Sequence, residues 1–533
     1  MEAKKYQAFW RGAIILTIAS FVTKVLSAFY RIPYQNIAGD VGFYIYQQIY
    51  PFYGFCLILT TYGFPIIISK MVAERLERGK QKEAEEIICV SFWFLLGIGF
   101  IGFFTLFFGA KIIALAMGDV HLDKLLRVIS FSFLLMPFLS VARGYFQGFN
   151  NMMPTAVSQV IEQTIRVSII VFLSLFLIAH SFDLYTVGAG AMLGSIAGGL
   201  IGIIVLLLYM RHDFRSIFSR GWRGVKHKKK IIRILFWQGI AICISNLVLI
   251  FIQMADSVSF YSLLIRVGEQ PEVAKVLKGV YDRSIPLMQL GTVVTTSFSL
   301  SLIPIITGAK ERGDLAFIRE KVQLAMKITI VIGFAASIGL ACIMKPTNIM
   351  LFENSDGSGV LAILSISILF SALSITTASI LQGLGETLKP ALFVVLGGCL
   401  KLALNYILMP HFGVTGAAIA TLVALIMIAV FNSVLLIRIV GEPLFSKKNV
   451  LGVMASGLGM AFILKVFMRV FQISGLPIEA EYRGMATTEA LLGVLIGGLV
   501  YVFLILKFQV FTKEELGTFM KEEKKEGSLK KSG

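Results

Sequence analysis

The sequence predicts an all-α integral membrane protein of about 14 transmembrane helices, arranged as two six-helix bundles related by pseudo-two-fold symmetry plus two C-terminal helices. Two observations support this prediction. First, 57% of the 533 residues are hydrophobic and only 15% are charged, and the mean hydropathy is +0.82, far outside the balance of a water-soluble domain. Second, short motifs of the first half of the chain recur in the same order in the second half.

Apolar windows of about 20 residues, the length that crosses a bilayer, define the predicted spans, numbered here in chain order. They cover residues 10–32, 41–69, 87–109, 123–147, 154–180, 184–210, 231–257, 279–308, 322–344, 358–384, 389–409, 413–439, 448–472 and 487–508. We therefore expect an N-terminal six-helix lobe at 1–210, a basic cytoplasmic linker at 211–230, a C-terminal six-helix lobe at 231–440, spans 13 and 14 at 441–510, and a cytoplasmic tail at 511–533.

Basic residues set the predicted orientation, because cytoplasmic connections of membrane proteins carry an excess of lysine and arginine. The connections after spans 2, 6, 8 and 12 and the tail after span 14 are rich in them, for example at Lys70, Arg75, Arg211, Lys310 and Lys447. Both termini are then cytoplasmic. The net charge of +18 follows from this topology, and no continuous basic face indicates a nucleic-acid partner.

Internal repetition relates the two lobes. The recurring pairs are residues 9–12 with 236–239, 65–67 with 304–306, Gln147-Gly148 with Gln382-Gly383, Pro154 with Pro390, Arg166 with Lys401, and Gly190-Ala191 with Gly416-Ala417. Equivalent positions are six spans apart, so both lobes enter the membrane with the same polarity and are related by an axis along the membrane normal. This layout favours a central cavity between the lobes, although duplication in a rigid scaffold would leave the same repeats.

Charged residues on the first span are cavity candidates, because ionisable groups inside a bilayer are costly and usually face a protein interior or a water-filled space. Lys24 and Arg31 are seven residues apart, nearly two helical turns, and would project from one helix face. They would form a cationic ladder. The alternative for Arg31, which lies near the helix end, is that it extends to the lipid head groups.

Span 5 carries a polar stripe on an otherwise apolar helix. Gln159, Glu162, Gln163 and Arg166 follow the spacing i, i+3, i+4, i+7, so they share one face that should avoid lipid. Glu162 and Arg166 are placed to pair at i, i+4. A direct contact with a substrate and a self-contained ion pair that stabilises the lobe are equally good interpretations.

The C-terminal lobe supplies fewer candidates. Arg283, near the start of span 8, and Lys401, in span 11, are predicted to line the cavity. Asp256 is predicted either to pair with Arg266 or Arg283 as a gate or to be only an interfacial residue. Proline can bend a membrane-spanning helix where neighbouring groups satisfy the freed carbonyls. Gating bends are therefore predicted at Pro65 and Pro304, near the ends of spans 2 and 8.

Catalytic motifs are absent from the sequence. It contains no Walker-type glycine loop, no H-E-x-x-H, no G-x-S-x-G and no dense carboxylate cluster for a metal. We therefore predict that the protein is not an enzyme and that it needs no cofactor. A coupling ion or a membrane potential would require only one or two polar groups, so the sequence does not identify the energy source.

These residues resemble a known family, the polysaccharide and lipid-linked oligosaccharide flippases of the multidrug/oligosaccharidyl-lipid/polysaccharide exporter superfamily, and within it the stage V sporulation protein B-like proteins of Gram-positive bacteria, relatives of lipid II flippases. The resemblance covers nearly the whole chain. It is carried by residues 43–53, Gly63 to Lys70, Arg143 to Gly148, Pro154, Gln159, Glu162-Gln163 and Arg166.

The resemblance implies a V-shaped pair of six-helix bundles, a cationic central cavity, alternating access and a substrate with a polyprenyl tail, a pyrophosphate and a sugar, in the bacterial cytoplasmic membrane. The expected partners are this lipid-linked saccharide, membrane lipids and, as one possibility, cell-wall synthesis proteins. In lipid II flippases basic residues of spans 1 and 8 line the cavity, and Lys24, Arg31 and Arg283 occupy comparable places. Lys24 stands where the family leads us to expect arginine, and the second half of span 8 is rich in serine and threonine.

Two alternatives remain open at this point. A multidrug or organic-cation antiporter of the same superfamily would need buried carboxylates that bind the cation. Glu162 and Asp256 are poor candidates for this role. A non-transporting scaffold that recruits cell-wall or sporulation enzymes would tolerate neutralisation of Lys24 and Arg283. The cavity charges do not separate lipid II from a teichoic, capsular or spore-cortex precursor.

Overall fold

The computed structural model describes residues 2–211, 227–473 and 483–511. Regular structure in these ranges is helical, with no strand, and eleven helical segments within them are long and apolar enough to cross a membrane. Two of these segments, Ile15–Glu77 and Leu388–Val440, are 63 and 53 residues long, which is enough for two crossings each. Together with Ser284–Glu311, they account for the predicted spans, so the fold class is confirmed.

Single glycines divide both long segments. Gly39 has φ 68° and Gly413 has φ 53°, inside otherwise continuous helix. Because a residue without a Cβ enters this region at little cost, the chain leaves the helix there. The first break separates spans 1 and 2 and the second separates spans 11 and 12, so each lobe contains one pair of spans that is divided by a single glycine.

The N-terminal lobe is built from long helices. Spans 1 and 2 consist of Glu2–Phe29, Arg31–Ile58 with its break at Gly39, a π-helical turn Leu59–Gly63, and Phe64–Glu77. Spans 3 to 6 are Gln81–Met117, Asp123–Gly148, Met153–Ala179 and Leu184–Met210, with a short 3₁₀ turn Val120–Leu122 before span 4.

The C-terminal lobe is more interrupted. Span 7 consists of Lys228–Ile234, a π-helical turn Leu235–Gly239, Ile240–Ser245 and, after a break, Val248–Val267. A short helix, Pro271–Asp282, precedes span 8 at Ser284–Glu311, and another, Met344–Phe352, separates span 9 at Leu315–Cys342 from span 10 at Ser358–Gly383. Spans 11 and 12 share Leu388–Val440, and spans 13 and 14 are Lys447–Ile473 and Arg483–Lys507.

The sequence did not predict the break in span 7 or the two short helices. Windows long enough to cross a bilayer average over a two-residue break, and they miss helices of 12 and 9 residues. Pro65 lies in the first turn of Phe64–Glu77, directly after the π-helical turn, a common site of bending. Its gating role remains a prediction. The side chain of Pro304, most of the linker 211–230 and nearly all of the tail lie outside the described residues.

The two lobes are joined at the face that holds Asp40, which is called the Asp40 face here and is predicted to be external. Asn36 donates to the carbonyl of Leu351 at 3.1 Å, and Gln48 donates to the carbonyl of Ser257 at 3.1 Å. Span 2 also packs closely on span 7, because a Cβ at Gly63 would lie 2.0 Å from the sulfur of Cys243. Spans 13 and 14 pack against span 9, where Tyr501 donates to the carbonyl of Val331 at 2.9 Å.

Candidate functional site

A cavity lies between the lobes. Spans 1, 2 and 5 of the N-terminal lobe form one wall, and spans 7, 8 and 10 of the C-terminal lobe form the other. The polar residues of the two walls are Thr23, Lys24, Ser27, Tyr50, Thr61, Tyr62, Gln159, Glu162, Gln163 and Arg166 in the first, and Ser245, Asn246, Gln253, Gln289, Thr292, Thr296 and Ser379 in the second.

Lys24 and Arg166 bring positive charge to the N-terminal wall. The ammonium of Lys24 lies 5.7 Å from the ring centre of Tyr62. Arg166 is 1% exposed and donates to the hydroxyl of Tyr53 and to the amide oxygen of Gln163. Both of these partners are neutral, so they orient the guanidinium without cancelling its charge.

The carboxylate of Glu162 is neutralised by another helix. Its Oε2 lies 2.6 Å from Nη2 of Arg143 on span 4, and Arg143 also donates to the carbonyl of Thr60 at 3.3 Å. The predicted pair with Arg166 on the same helix is therefore wrong. Arg143 extends from span 4 to Glu162 on span 5, and the two opposite charges are buried together. Arg166 therefore keeps its net charge next to the cavity.

Arg31 lies behind the cavity wall in a cluster of tyrosines. Its guanidinium is 4.2 Å from the ring centre of Tyr50, which lines the cavity. The side chain is fully buried, so it does not extend to lipid head groups. Within the described part of the chain none of its guanidinium nitrogens meets a hydrogen-bond partner. An unpaired buried cation is costly and is a functional candidate for that reason.

Arg283 lies at the Asp40 face and does not line the cavity. Its Nη2 is 2.7 and 2.8 Å from the two carboxylate oxygens of Asp40, and its Nη1 donates to the side-chain oxygens of Asn348 at 3.2 Å and Asn354 at 2.6 Å. The residue is fully buried. Arg283 therefore links the lobes, and its predicted place in the cavity is wrong in this conformation.

Lys401 is also withdrawn from the cavity. Its ammonium lies 2.8 Å from Oδ1 of Asp256 and 2.7 Å from the carbonyl oxygen of Ala417. Asp256 in addition accepts from Asn405 at 2.9 Å and from Tyr281 at 3.1 Å. The partner of Asp256 is thus Lys401 of its own lobe, and the predicted pairs with Arg266 and Arg283 are wrong.

The neutral residues of the C-terminal wall were not predicted from the sequence. On span 8, Gln289, Thr292 and Thr296 follow the spacing i, i+3, i+7 and line the cavity together. This stripe resembles the polar stripe of span 5, but it holds no charge and was overlooked in a search for ionisable residues. A search for neutral polar stripes would have found it.

The described residues contain no group of three or more His, Cys, Asp or Glu placed to hold a metal. What the cavity offers is a wall with two cations facing a wall of amides and hydroxyls. Arginine and lysine bind phosphate oxygens through charge-assisted hydrogen bonds, arginine often through two at once. The arrangement therefore suits a ligand with an anionic part and a neutral polar part.

Comparison with known families and proteins gives consistent matches. The family model described as polysaccharide biosynthesis protein matches residues 9–310. An uncharacterised membrane protein of Bacillus subtilis, YabM, is 42% identical over 511 residues, which cover 96% of this chain and 94% of that protein. Lipid II flippase MurJ of the same organism is 26% identical over 517 residues, covering 92% and 94%.

Solved structures share the fold. Lipid II flippase MurJ in an inward closed conformation matches with a TM-score of 0.65 at 14% identity, over 93% of this chain and 99% of that chain. An inward-facing multidrug resistance MATE family transporter of the MOP superfamily matches with the same TM-score and identity, over 80% and 98%. The protein is therefore a multi-pass membrane protein with the fold of this superfamily.

Proposed function

The chain belongs to the polysaccharide biosynthesis protein family, and on that premise we propose that it translocates a polyprenyl-pyrophosphate-linked saccharide across the bacterial cytoplasmic membrane by alternating access. The observation that carries the proposal is the charge of the cavity. Lys24 and Arg166 line it, whereas the only carboxylate among its described lining residues, Glu162, is neutralised by Arg143.

An anionic ligand gains most from this arrangement. A pyrophosphate brings several acceptor oxygens to Arg166, whose Nε has no hydrogen-bond partner in the described residues. Charge-assisted hydrogen bonds of this kind contribute about 1.5–3 kcal/mol each. Arg31 lies directly behind Tyr50, so a small movement of that ring would bring a further cation into contact with the ligand on its way towards the Asp40 face.

Alternating access requires the junction at the Asp40 face to open. In the proposed cycle the lobes separate there, the bond between Asp40 and Arg283 breaks, and Arg283 keeps its amide partners Asn348 and Asn354. The basic connections predict that both termini are cytoplasmic. With this orientation, the substrate of the proposed cycle enters from the cytoplasmic face and leaves at the Asp40 face.

An organic-cation antiporter is the weaker candidate. Such a transporter needs a carboxylate that is free to bind its cation. The buried carboxylates near the cavity already have basic partners, namely Arg143 for Glu162, Lys401 for Asp256 and Lys278 for Asp282.

The proposal is tested with the full chain in liposomes and a fluorescent polyprenyl-pyrophosphate disaccharide. We expect transbilayer movement by the wild type and a loss of about tenfold to a hundredfold in Lys24→Ala and in Arg166→Ala, because each variant removes one charged contact worth about 1.5–3 kcal/mol. Lys111→Ala, which removes an exposed lysine of span 3, is the matched control and should transport normally.

The outcome that contradicts the proposal is uptake of an organic cation by the same liposomes without movement of any lipid-linked saccharide. If the wild type moves neither a lipid-linked saccharide nor an organic cation, a non-transporting scaffold is favoured instead. If both cavity variants transport as the wild type does, Lys24 and Arg166 are not the substrate site.

A further inference from the structure

Four glutamines line the cavity, two on each wall. Gln159 and Gln163 belong to span 5, Gln253 to span 7 and Gln289 to span 8. Each keeps one buried amide atom without a hydrogen-bond partner in the described part of the chain, namely Oε1 of Gln159, Gln253 and Gln289 and Nε2 of Gln163. Gln159 and Gln163 are only 6% and 4% exposed.

Unpaired amide atoms at these positions indicate a ligand. Buried polar side-chain atoms in folded proteins are nearly always hydrogen-bonded, and each one left unpaired costs about 1–3 kcal/mol. A cluster of four around one cavity is therefore satisfied either by water or by a bound molecule that replaces the water and completes the same hydrogen bonds.

The chemistry of the unpaired atoms limits what that molecule is. Three of the four are carbonyl oxygens, so the ligand must donate hydrogen bonds to them. A pyrophosphate only accepts and a polyprenyl tail does neither, so neither part of the lipid can satisfy these oxygens. Sugar hydroxyls donate and accept at once, and an acetamido group donates through its N–H.

The C-terminal wall also lacks charge. Among the residues of spans 7, 8 and 10 that line the cavity, all polar ones are serine, threonine, asparagine or glutamine. The cations of this lobe that would attract an acidic sugar, Arg283 and Lys401, are held by Asp40 and Asp256. A carboxylate placed on this wall would therefore find no cation among the described lining residues of spans 7, 8 and 10 to offset the cost of its burial.

We propose that the four glutamines, with Thr292 and Thr296, form a glycan subsite that selects an uncharged, hydroxyl-bearing or acetamido-bearing sugar, while Lys24 and Arg166 hold the pyrophosphate. This inference rests on the proposed function and specifies the substrate's head group. The cavity is lined by residues of both walls, so the cations of one wall and the glutamines of the other face the same space.

The test measures binding of three lipids to the full-length protein in detergent: polyprenyl pyrophosphate with a neutral disaccharide, the same lipid with a glucuronic acid, and the bare polyprenyl pyrophosphate. The variant is the double substitution Gln253→Ala with Gln289→Ala. We expect its affinity for the neutral glycolipid to fall about tenfold to a hundredfold and its affinity for the bare lipid to stay within about twofold, which also reports an intact cavity.

The wild type should bind the glucuronate lipid more weakly than the neutral one. Gln270→Ala is the matched control, because Gln270 is exposed between spans 7 and 8 and does not line the cavity; it should bind all three lipids as the wild type does. Equal losses for the bare and the sugar-bearing lipid in the double variant, or tighter binding of the glucuronate lipid by the wild type, would overturn the glycan subsite and leave the proposed function standing. If the wild type binds none of the lipids, the proposed function itself is wrong, and the subsite with it.

Discussion

Arg166 and Lys401 occupy equivalent places in the two lobes, yet the structure uses them differently. Arg166 has two neutral partners, Tyr53 and Gln163, and borders the cavity. Lys401 is held by a carboxylate and a backbone carbonyl and does not line it. The same kind of charge is available for a ligand in one lobe and serves internal structure in the other, because Asp256 pairs with Lys401, whereas Glu162, one turn from Arg166, pairs with Arg143 instead.

The difference has a consequence for the whole cavity. Positive charge lies on the N-terminal wall, and neutral amides and hydroxyls lie on the C-terminal wall. Duplicated lobes with identical walls would present the same chemistry to both ends of a substrate. Divergent walls allow a pyrophosphate and a sugar to be bound at the same time by different groups.

The largest expected effect comes from breaking the internal pair of the C-terminal lobe. Lys401→Met should lower the free energy of unfolding by about 3–5 kcal/mol, because it leaves the carboxylate of Asp256 buried without its cation. Arg166→Met removes a cation that has no carboxylate partner, so it should reduce transport strongly and stability much less. Thermal unfolding in detergent, measured beside the transport assay, separates these effects.

The double variant Asp256→Asn with Lys401→Met removes both charges and should recover most of the lost stability. A double variant as unstable as Lys401→Met alone would show that the ion pair is not the reason for the loss.

The next effect concerns the partner of Glu162. Glu162→Gln should lower the free energy of unfolding by about 3 kcal/mol, because Arg143 then remains buried without its carboxylate. Adding Arg143→Met should restore much of this stability, whereas adding Arg166→Met should restore none. A double-mutant cycle on unfolding midpoints measures both couplings. If Glu162 is coupled more strongly to Arg166 than to Arg143, the assigned ion pair is wrong. Arg166 would then not carry a free charge next to the cavity.

The smallest effect is expected at the junction between the lobes. Asp40→Asn weakens the bond to Arg283, which keeps its hydrogen bonds to Asn348 and Asn354. The conformation that is open at the Asp40 face should therefore be stabilised by about 1–2 kcal/mol relative to the closed one. Its population should rise about fivefold to thirtyfold. Distances between spin labels introduced at Lys124 and Glu269, exposed residues of the two lobes on this face, report the opening.

Asp123→Asn is the control for that experiment, because Asp123 pairs with Arg127 inside the N-terminal lobe. Its label distances should match those of the wild type. An Asp40→Asn protein with unchanged distances would show that the ion pair does not hold the lobes together.

Prediction from sequence succeeded where a single segment carried the information. The spans and the polar stripe of span 5 each follow from spacing within about 20 residues. It failed for the partners of Glu162, Asp256 and Arg283, and it overlooked Gln253 and Gln289, because their neutral side chains carry no charge to mark them.

The amino-acid sequence by itself determined the membrane fold of this protein, since the thickness of a bilayer sets the length and polarity of every span. Only the tertiary structure decided which cations remain free. The reason is that a buried charge is neutralised by whatever side chain lies within a few ångströms, and those neighbours come from other spans, as Asp40 does for Arg283 across 243 residues of sequence.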